Sequence, residues 1–218
     1  MKQTFKRLEM IARGLVPGKL KSAVRIARSA VITQPLSKEM SAELVDGAEI
    51  VASRGVLIER MKKGAIAAEL GTYRGDFTRQ MLARAEPEKL HVIDVDYTKF
   101  DSRLLDDPRV VKHEGLTHQV MATFEDGFFD WVYIDADHSY SGALRDAEAS
   151  APKVRPGGYL IFNDFAHIDP YLGRYGVHCA VVDFMEESRW PMRYLAMHPA
   201  ALYDVALQKP STGAAGKY

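Results

Sequence analysis

Three oxygen-bearing side chains fall at the ends of two apolar runs. Asp135 closes the run 130–134, and Asn163 and Asp164 close the run 159–162. Asp135 and Asn163 are 28 residues apart, about the length of one strand–helix–strand unit. That spacing predicts neighbouring strand ends. Oxygen-only ligands suit a hard divalent cation such as Mg²⁺, which also keeps waters and a substrate oxygen. The same side chains could instead cap loops or hydrogen-bond a cofactor.

A second group surrounds a glycine turn, Glu69-Leu70-Gly71-Thr72-Tyr73-Arg74-Gly75, between an apolar run and a helix. Glycine lets the backbone bend sharply and pass close to a ligand. Its spacing differs from the dinucleotide fingerprint, whose glycines suit a pyrophosphate at a helix N-terminus. Asp94 ends the next apolar run, 23 residues beyond Gly71. An acid at such an offset can accept hydrogen bonds from ribose hydroxyls. Asp96 is the rival, and Asp94 is preferred because it follows the run directly. Turn and acid together point to an adenosine-type ligand.

These residues need a scaffold that gathers strand ends. Apolar runs at 65–70, 90–93, 110–111, 130–134 and 159–162 alternate with helical patterns at 76–85 and 141–154. Such alternation predicts an α/β fold: a doubly wound, mostly parallel sheet with helices on both faces. In an open sheet of this kind the ligand crevice lies outside the strand C-termini. Glu69 and Gly71, Asp94, Asp135 and Asn163-Asp164 then converge on one rim. Beyond them come a loop rich in His, Pro, Tyr and Gly, a helix at 177–187, and strands at 193–197 and 202–208. The short turn joining the last two allows antiparallel pairing at a sheet edge, since a parallel return needs a long crossover. Residues 41–62 read as one helix with Leu44, Ala48, Val51 and Ile58 on its buried stripe. The chain is expected to divide into an N-terminal helical appendage (1–62, a lid or dimer contact), a cofactor-binding domain (63–210) and a flexible tail (211–218).

The chain has 218 residues, 47% hydrophobic and 27% charged, a globular profile that excludes disordered and fibrous classes. Net charge is zero, but residues 1–40 carry nine Lys/Arg and two acids. That segment is a solvated helix face docking on the acidic body, or a basic arm for an acidic partner or membrane surface. The single cysteine, Cys179, excludes an intrachain disulfide and reads as a small core residue. No apolar run approaches a membrane span, so the cytoplasm is expected. No nucleic-acid partner is expected, and a homodimer is possible.

The run Ile134-Asp135-Ala136-Asp137-His138-Ser139-Tyr140, with the Glu-x-Gly-x-x-x-Gly turn, resembles the class I S-adenosylmethionine-dependent methyltransferases. Within them it is most similar to the metal-dependent O-methyltransferases of the macrocin and mycinamicin type, over about residues 64–183. The resemblance implies a seven-stranded sheet with an antiparallel last strand. It implies S-adenosylmethionine as cofactor, held by Glu69, Gly71, Thr72, Tyr73, Gly75, Asp94 and Asp135. It further implies Mg²⁺ on Asp135, Asn163 and Asp164, His138 as general base, and a small-molecule hydroxyl as methyl acceptor. Asn163 stands where the sugar enzymes have a carboxylate, although catechol-type relatives also pair Asp with Asn. His167, Tyr171, Arg174 and Tyr175 are candidate acceptor contacts. The rival readings are a nicotinamide oxidoreductase, a metal-independent methyltransferase, and a non-catalytic protein docking through its basic arm.

Overall fold

In the computed structural model, which describes residues 38–169 and 173–211, every apolar run read as a strand pairs in one sheet. The strands are β1 (Glu49–Val51), β2 (Ile66–Leu70), β3 (Lys89–Asp94), β4 (Val110–Glu114), β5 (Phe129–Ile134), β6 (Val154–Phe165), β9 (Met192–Ala196) and β10 (Tyr203–Gln208), with a short β7–β8 ribbon (Ile168–Asp169 and Gly173–Arg174) outside the sheet. The helices are α1 (Ala42–Val45), α2 (Arg54–Glu59), α3 (Asp76–Arg84), α4 (Thr117–Met121), α5 (Tyr140–Ser150) and α6 (Val177–Ser188).

The strand order is β1-β9-β10-β6-β5-β2-β3-β4. Strands β4, β3, β2, β5 and β6 run parallel, and β10 is antiparallel to both β6 and β9. This is the Rossmann-like methyltransferase architecture expected from the sequence, with eight strands where seven were expected. The antiparallel strand is not at the edge. It inserts between β6 and β9, and β1 adds outside β9 in parallel.

That extra strand corrects the reading of 41–62 as one helix. Gly47 takes φ +79, a left-handed conformation that ends the helical path. The chain then extends so that Glu49, Ile50 and Val51 pair with Tyr194, Leu195 and Ala196. Ser53 restarts a helix as N-cap, its side chain accepting from the Val56 amide at 3.3 Å. Leu44, Val51 and Ile58 are all buried, but on three different elements. The basic segment 1–37, Tyr171 and the tail from 212 lie outside the described residues. Among the described residues no helix is long and apolar enough to cross a membrane.

Burial on both faces explains the run at β5. Val132 and Ile134 enter one core cluster with α5 and α6, while Trp131 and Tyr133 enter another with α2 and α3. This is the two-residue alternation of a strand covered on each side. Asp130 is tolerated at the foot of β5 because Lys62, Arg155 and the Ile66 amide all engage its carboxylate. Cys179 is buried in α6, as expected of a small core residue.

One part of the core is expected to respond to acid. His91 and His113, on β3 and β4, stack at 5.1 Å and share a 2.9 Å hydrogen bond. Phe124, Phe128 and Phe129 set their edges or faces around His91 within 5.5 Å. Burial, then the charge of His113 and Lys89, pushes the His91 pKa down to about 4. Burial also lowers that of His113. The fold therefore favours neutral rings. Their contribution is complete above the unfolded histidine value of about 6.5 and is lost as pH falls toward about 4. The urea midpoint should fall across this window, and His91→Leu should flatten the slope; an equally steep slope in the variant would assign the acid lability to other groups.

Candidate functional site

The turn between β2 and α3 is shaped by three left-handed residues: Gly71 (φ +86), Tyr73 (φ +47) and Gly75 (φ +79). Asp94 ties this turn to the end of β3. Its Oδ2 accepts from the amides of Thr72 (2.8 Å) and Tyr73 (3.0 Å), and its Oδ1 from the Asp96 amide (3.2 Å). The turn carries β2 against β5 so closely that the space a side chain would need at Gly71 is filled by the Asp135 backbone.

A cavity of about 450 Å³ opens over these strand ends, within the usual range for a small-molecule or cofactor site. Gly71, Tyr73, Asp94 and Asp135 line it, as does Asp96. Glu69, Thr72 and Gly75 stand behind the lining. Glu69 is 1% exposed and accepts from the Thr78 hydroxyl at 2.5 Å. Burial raises its pKa to about 8, against the opposing effect of that hydrogen bond. Thr72 offers its amide to Asp94, and Gly75 packs under Phe100 and Leu104.

Sequence reasoning missed the far wall of the cavity. Leu116, Thr117 and His118 follow β4, and Arg145 and Asp146 come from α5. The Thr117 hydroxyl donates to Asp146 at 2.6 Å, which holds the two elements together. The available signal was positional: residues 116–118 lie just past a strand end on the same rim.

Asp135 belongs to a second group beside the cavity. His138 Nε2 lies 3.4 Å from Asp135 Oδ1, 3.4 Å from Asn163 Oδ1 and 3.5 Å from Asp164 Oδ2. The three oxygens predicted from spacing thus face one point, together with the predicted histidine. Asp164 reaches it through a left-handed backbone, φ +56, an uncommon conformation for a non-glycine residue. Tyr175 stacks on the His138 ring at 4.6 Å, and the Gly176 amide donates to the His138 carbonyl at 2.8 Å. Burial opposes a charge on His138. The hydrogen bond to Asp135 and the charges of Asp135 and Asp164 outweigh it, so the pKa is raised. His167, the other candidate on this loop, packs against His178 with the rings tilted and their centroids 4.2 Å apart, and remains exposed.

Two carboxylates and an amide oxygen fit a hard cation in kind. Among the described residues, however, no group of three His, Cys, Asp or Glu side chains is arranged to hold a metal ion. The point the oxygens share is filled by an imidazole nitrogen.

Beneath Asn163 lies a buried polar group that the sequence did not announce. Tyr133 donates to Asp204 at 2.5 Å, and the Asn163 amide nitrogen lies 3.3 Å from each of them. Arg54 adds positive charge from α2, its guanidinium 4.3 Å over the Phe77 ring. Burial raises the Asp204 pKa to about 7 against these partners.

Residues 68–165 match the model of a family described as a methyltransferase domain. No curated protein matches the sequence. Among solved structures, a SAM-dependent methyltransferase from Aquifex aeolicus superposes with TM-score 0.55 at 16% identity, covering 76% of this chain and 90% of that one. A candidate hemolysin from Lactococcus lactis gives TM-score 0.55 at 18% identity over 71% and 82%. The N-methyltransferase NodS from Bradyrhizobium japonicum WM9 gives 0.54 at 16% over 72% and 95%. At such identities the likeness is one of fold. The match at 68–165 spans both the glycine turn and the Asp135–Asp164 group, so the stretch that carries both resembles a methyltransferase domain.

Proposed function

We propose that the chain transfers the methyl group of S-adenosylmethionine to a hydroxyl of a small molecule, with His138 as general base. The observation carrying this reading is the His138 nitrogen within 3.5 Å of Asp135, Asn163 and Asp164, beside a cavity that Asp135 also lines. In this reading Gly71, Tyr73, Asp94 and Asp135 contact the cofactor, with Glu69, Thr72 and Gly75 supporting them from behind. Residues 63–210 form the cofactor-binding unit and 1–62 a lid or dimer contact. The protein works in the cytoplasm.

The sulfonium methyl is already activated, so the protein's tasks are alignment and deprotonation. Nε2 faces three acceptor oxygens and carries the ring hydrogen, so His138 takes the hydroxyl proton at Nδ1. The freed oxygen pair forms the bond to the methyl carbon as the carbon–sulfur bond breaks, leaving a neutral thioether. Asp135 and Asp164 stabilise the imidazolium that forms, and Tyr175 holds the ring in plane. Asp135, Asn163 and Asp164 would hold a divalent cation, which when bound supplies positive charge to the developing alkoxide. A second reading, transfer without metal, is favoured by the imidazole nitrogen lying where the three oxygens meet.

Calorimetric titration with S-adenosylmethionine and with NAD, followed by labelled methyl transfer to a panel of sugars and phenols, tests the proposal. S-adenosylmethionine should bind and NAD should not. Loss of turnover with EDTA and recovery with Mg²⁺ is the expected result. Turnover indifferent to chelation would select the metal-free form. Binding of NAD in place of S-adenosylmethionine would overturn both.

A further inference from the structure

The side-chain amide of Asn163 has a donor end and an acceptor end, and its surroundings treat them differently. Asn163 is 6% exposed, Asp204 2% and Tyr133 wholly buried. On the inner side Asn163 Nδ2 reaches Asp204 Oδ1 and Tyr133 Oη, each at 3.3 Å. The phenolic proton is committed to Asp204 Oδ2. Asp204 as a carboxylate only accepts, and the phenol has only its oxygen left to offer. Both Asn163 amide protons are therefore drawn inward, and Oδ1 is turned outward to His138 Nε2 at 3.4 Å. Residue 163 is on β6, Tyr133 on β5 and Asp204 on β10. These three strands are adjacent in the sheet, so the contact is set by strand order.

We propose that Asp204 is a positioning residue, which together with Tyr133 orients the Asn163 amide so that its carbonyl oxygen faces His138 and the reacting atoms. Asp204 lies behind the site and acts only through Asn163. The chemistry explains why an amide suits position 163. A second carboxyl there would face Asp204 and could be accommodated only by holding a proton between the two, whereas the amide supplies its own hydrogens. It also predicts an exchange. With Asn at 204, the new amide would keep its oxygen on Tyr133 and point its NH₂ at residue 163. Asn163 would then flip, presenting NH₂ to His138. With Asp at 163 and Asn at 204, one carboxylate oxygen would accept from residue 204 and the other would again face His138. The inference deepens the role proposed for Asn163 at the methyl-transfer site, but the contact itself is testable apart from that role.

The test uses the full ¹⁵N-labelled chain at about pH 9, where Asp204 is a carboxylate, with the His138 ring signals assigned by their loss in His138→Ala. In Asp204→Asn the His138 Nε2 signal should move by several ppm, and in the exchanged pair Asn163→Asp/Asp204→Asn it should return toward its original position. Asn163→Asp alone should lower Tm by several degrees, and the exchanged pair should recover most of that loss. An unmoved His138 signal in folded Asp204→Asn overturns the proposal. So does an exchanged pair whose loss of stability is the sum of the two single losses. Should Asp204→Asn not fold, the exchanged pair against Asn163→Asp decides alone. A chain that fails to bind S-adenosylmethionine yet shows both effects would overturn the methyltransferase reading and leave this inference standing.

Discussion

Replacing His138 with alanine should lower turnover by roughly 10²–10⁴-fold, the usual contribution of a positioned general base, while S-adenosylmethionine binds nearly as before. The separation follows from the layout. His138 faces Asp135, Asn163 and Asp164, whereas the cavity wall is built from the turn at Gly71, from Asp94 and from the residues after β4. Only Asp135 belongs to both. Truncation removes the proton acceptor and the ring on which Tyr175 stacks, but nothing that lines the cavity. Calorimetry for the cofactor and steady-state rates for the acceptor measure the two effects independently. Wild-type turnover in the variant would remove His138 from the chemistry.

Gly71→Ala is expected to abolish measurable cofactor binding and to lower Tm. Two penalties coincide at this position. Its φ of +86 lies where L side chains are strained, at about 1–2 kcal/mol. A Cβ would also stand 2.7 Å from the Asp135 carbonyl carbon and closer still to its oxygen. Overpacking of this kind costs about 1–3 kcal/mol, and the obstacle here is backbone of a central strand end, which cannot turn aside as a side chain can. Any relief must separate β2 from β5 at the mouth of the cavity. Gly47→Ala is the control, because Gly47 has a similar φ of +79 and nothing within 4 Å of the added carbon. It should cost stability and spare binding. Equal loss of binding in both variants would place the cause in general destabilisation.

The sequence by itself determined the parallel core of the sheet and the rim that carries polar residues. Each buried strand writes a short apolar run, and each run stops where a side chain can face water or ligand. Asp94 and Asp135 are therefore visible as endings, whereas Glu69 is buried inside β2 and Asn163-Asp164 fall within β6, which runs on to Phe165. The antiparallel β9–β10 pair was legible too, because so short a turn permits nothing else. The strand at 49–51 was not. Its apolar residues also fit a helical stripe, and only pairing with β9 distinguishes the two.

Tertiary structure alone decided which residues meet across the strand order. Asp204 and Tyr133 are 71 residues apart, yet they close on each other because β10 inserts beside β6 and not at the sheet edge. Arg54 comes from a helix that precedes the first motif, and the far wall of the cavity comes from α5 and the end of β4. Local chemistry sets where a strand begins and ends. Which strands lie side by side depends on packing of the whole chain, and that arrangement alone placed a buried carboxylate behind Asn163.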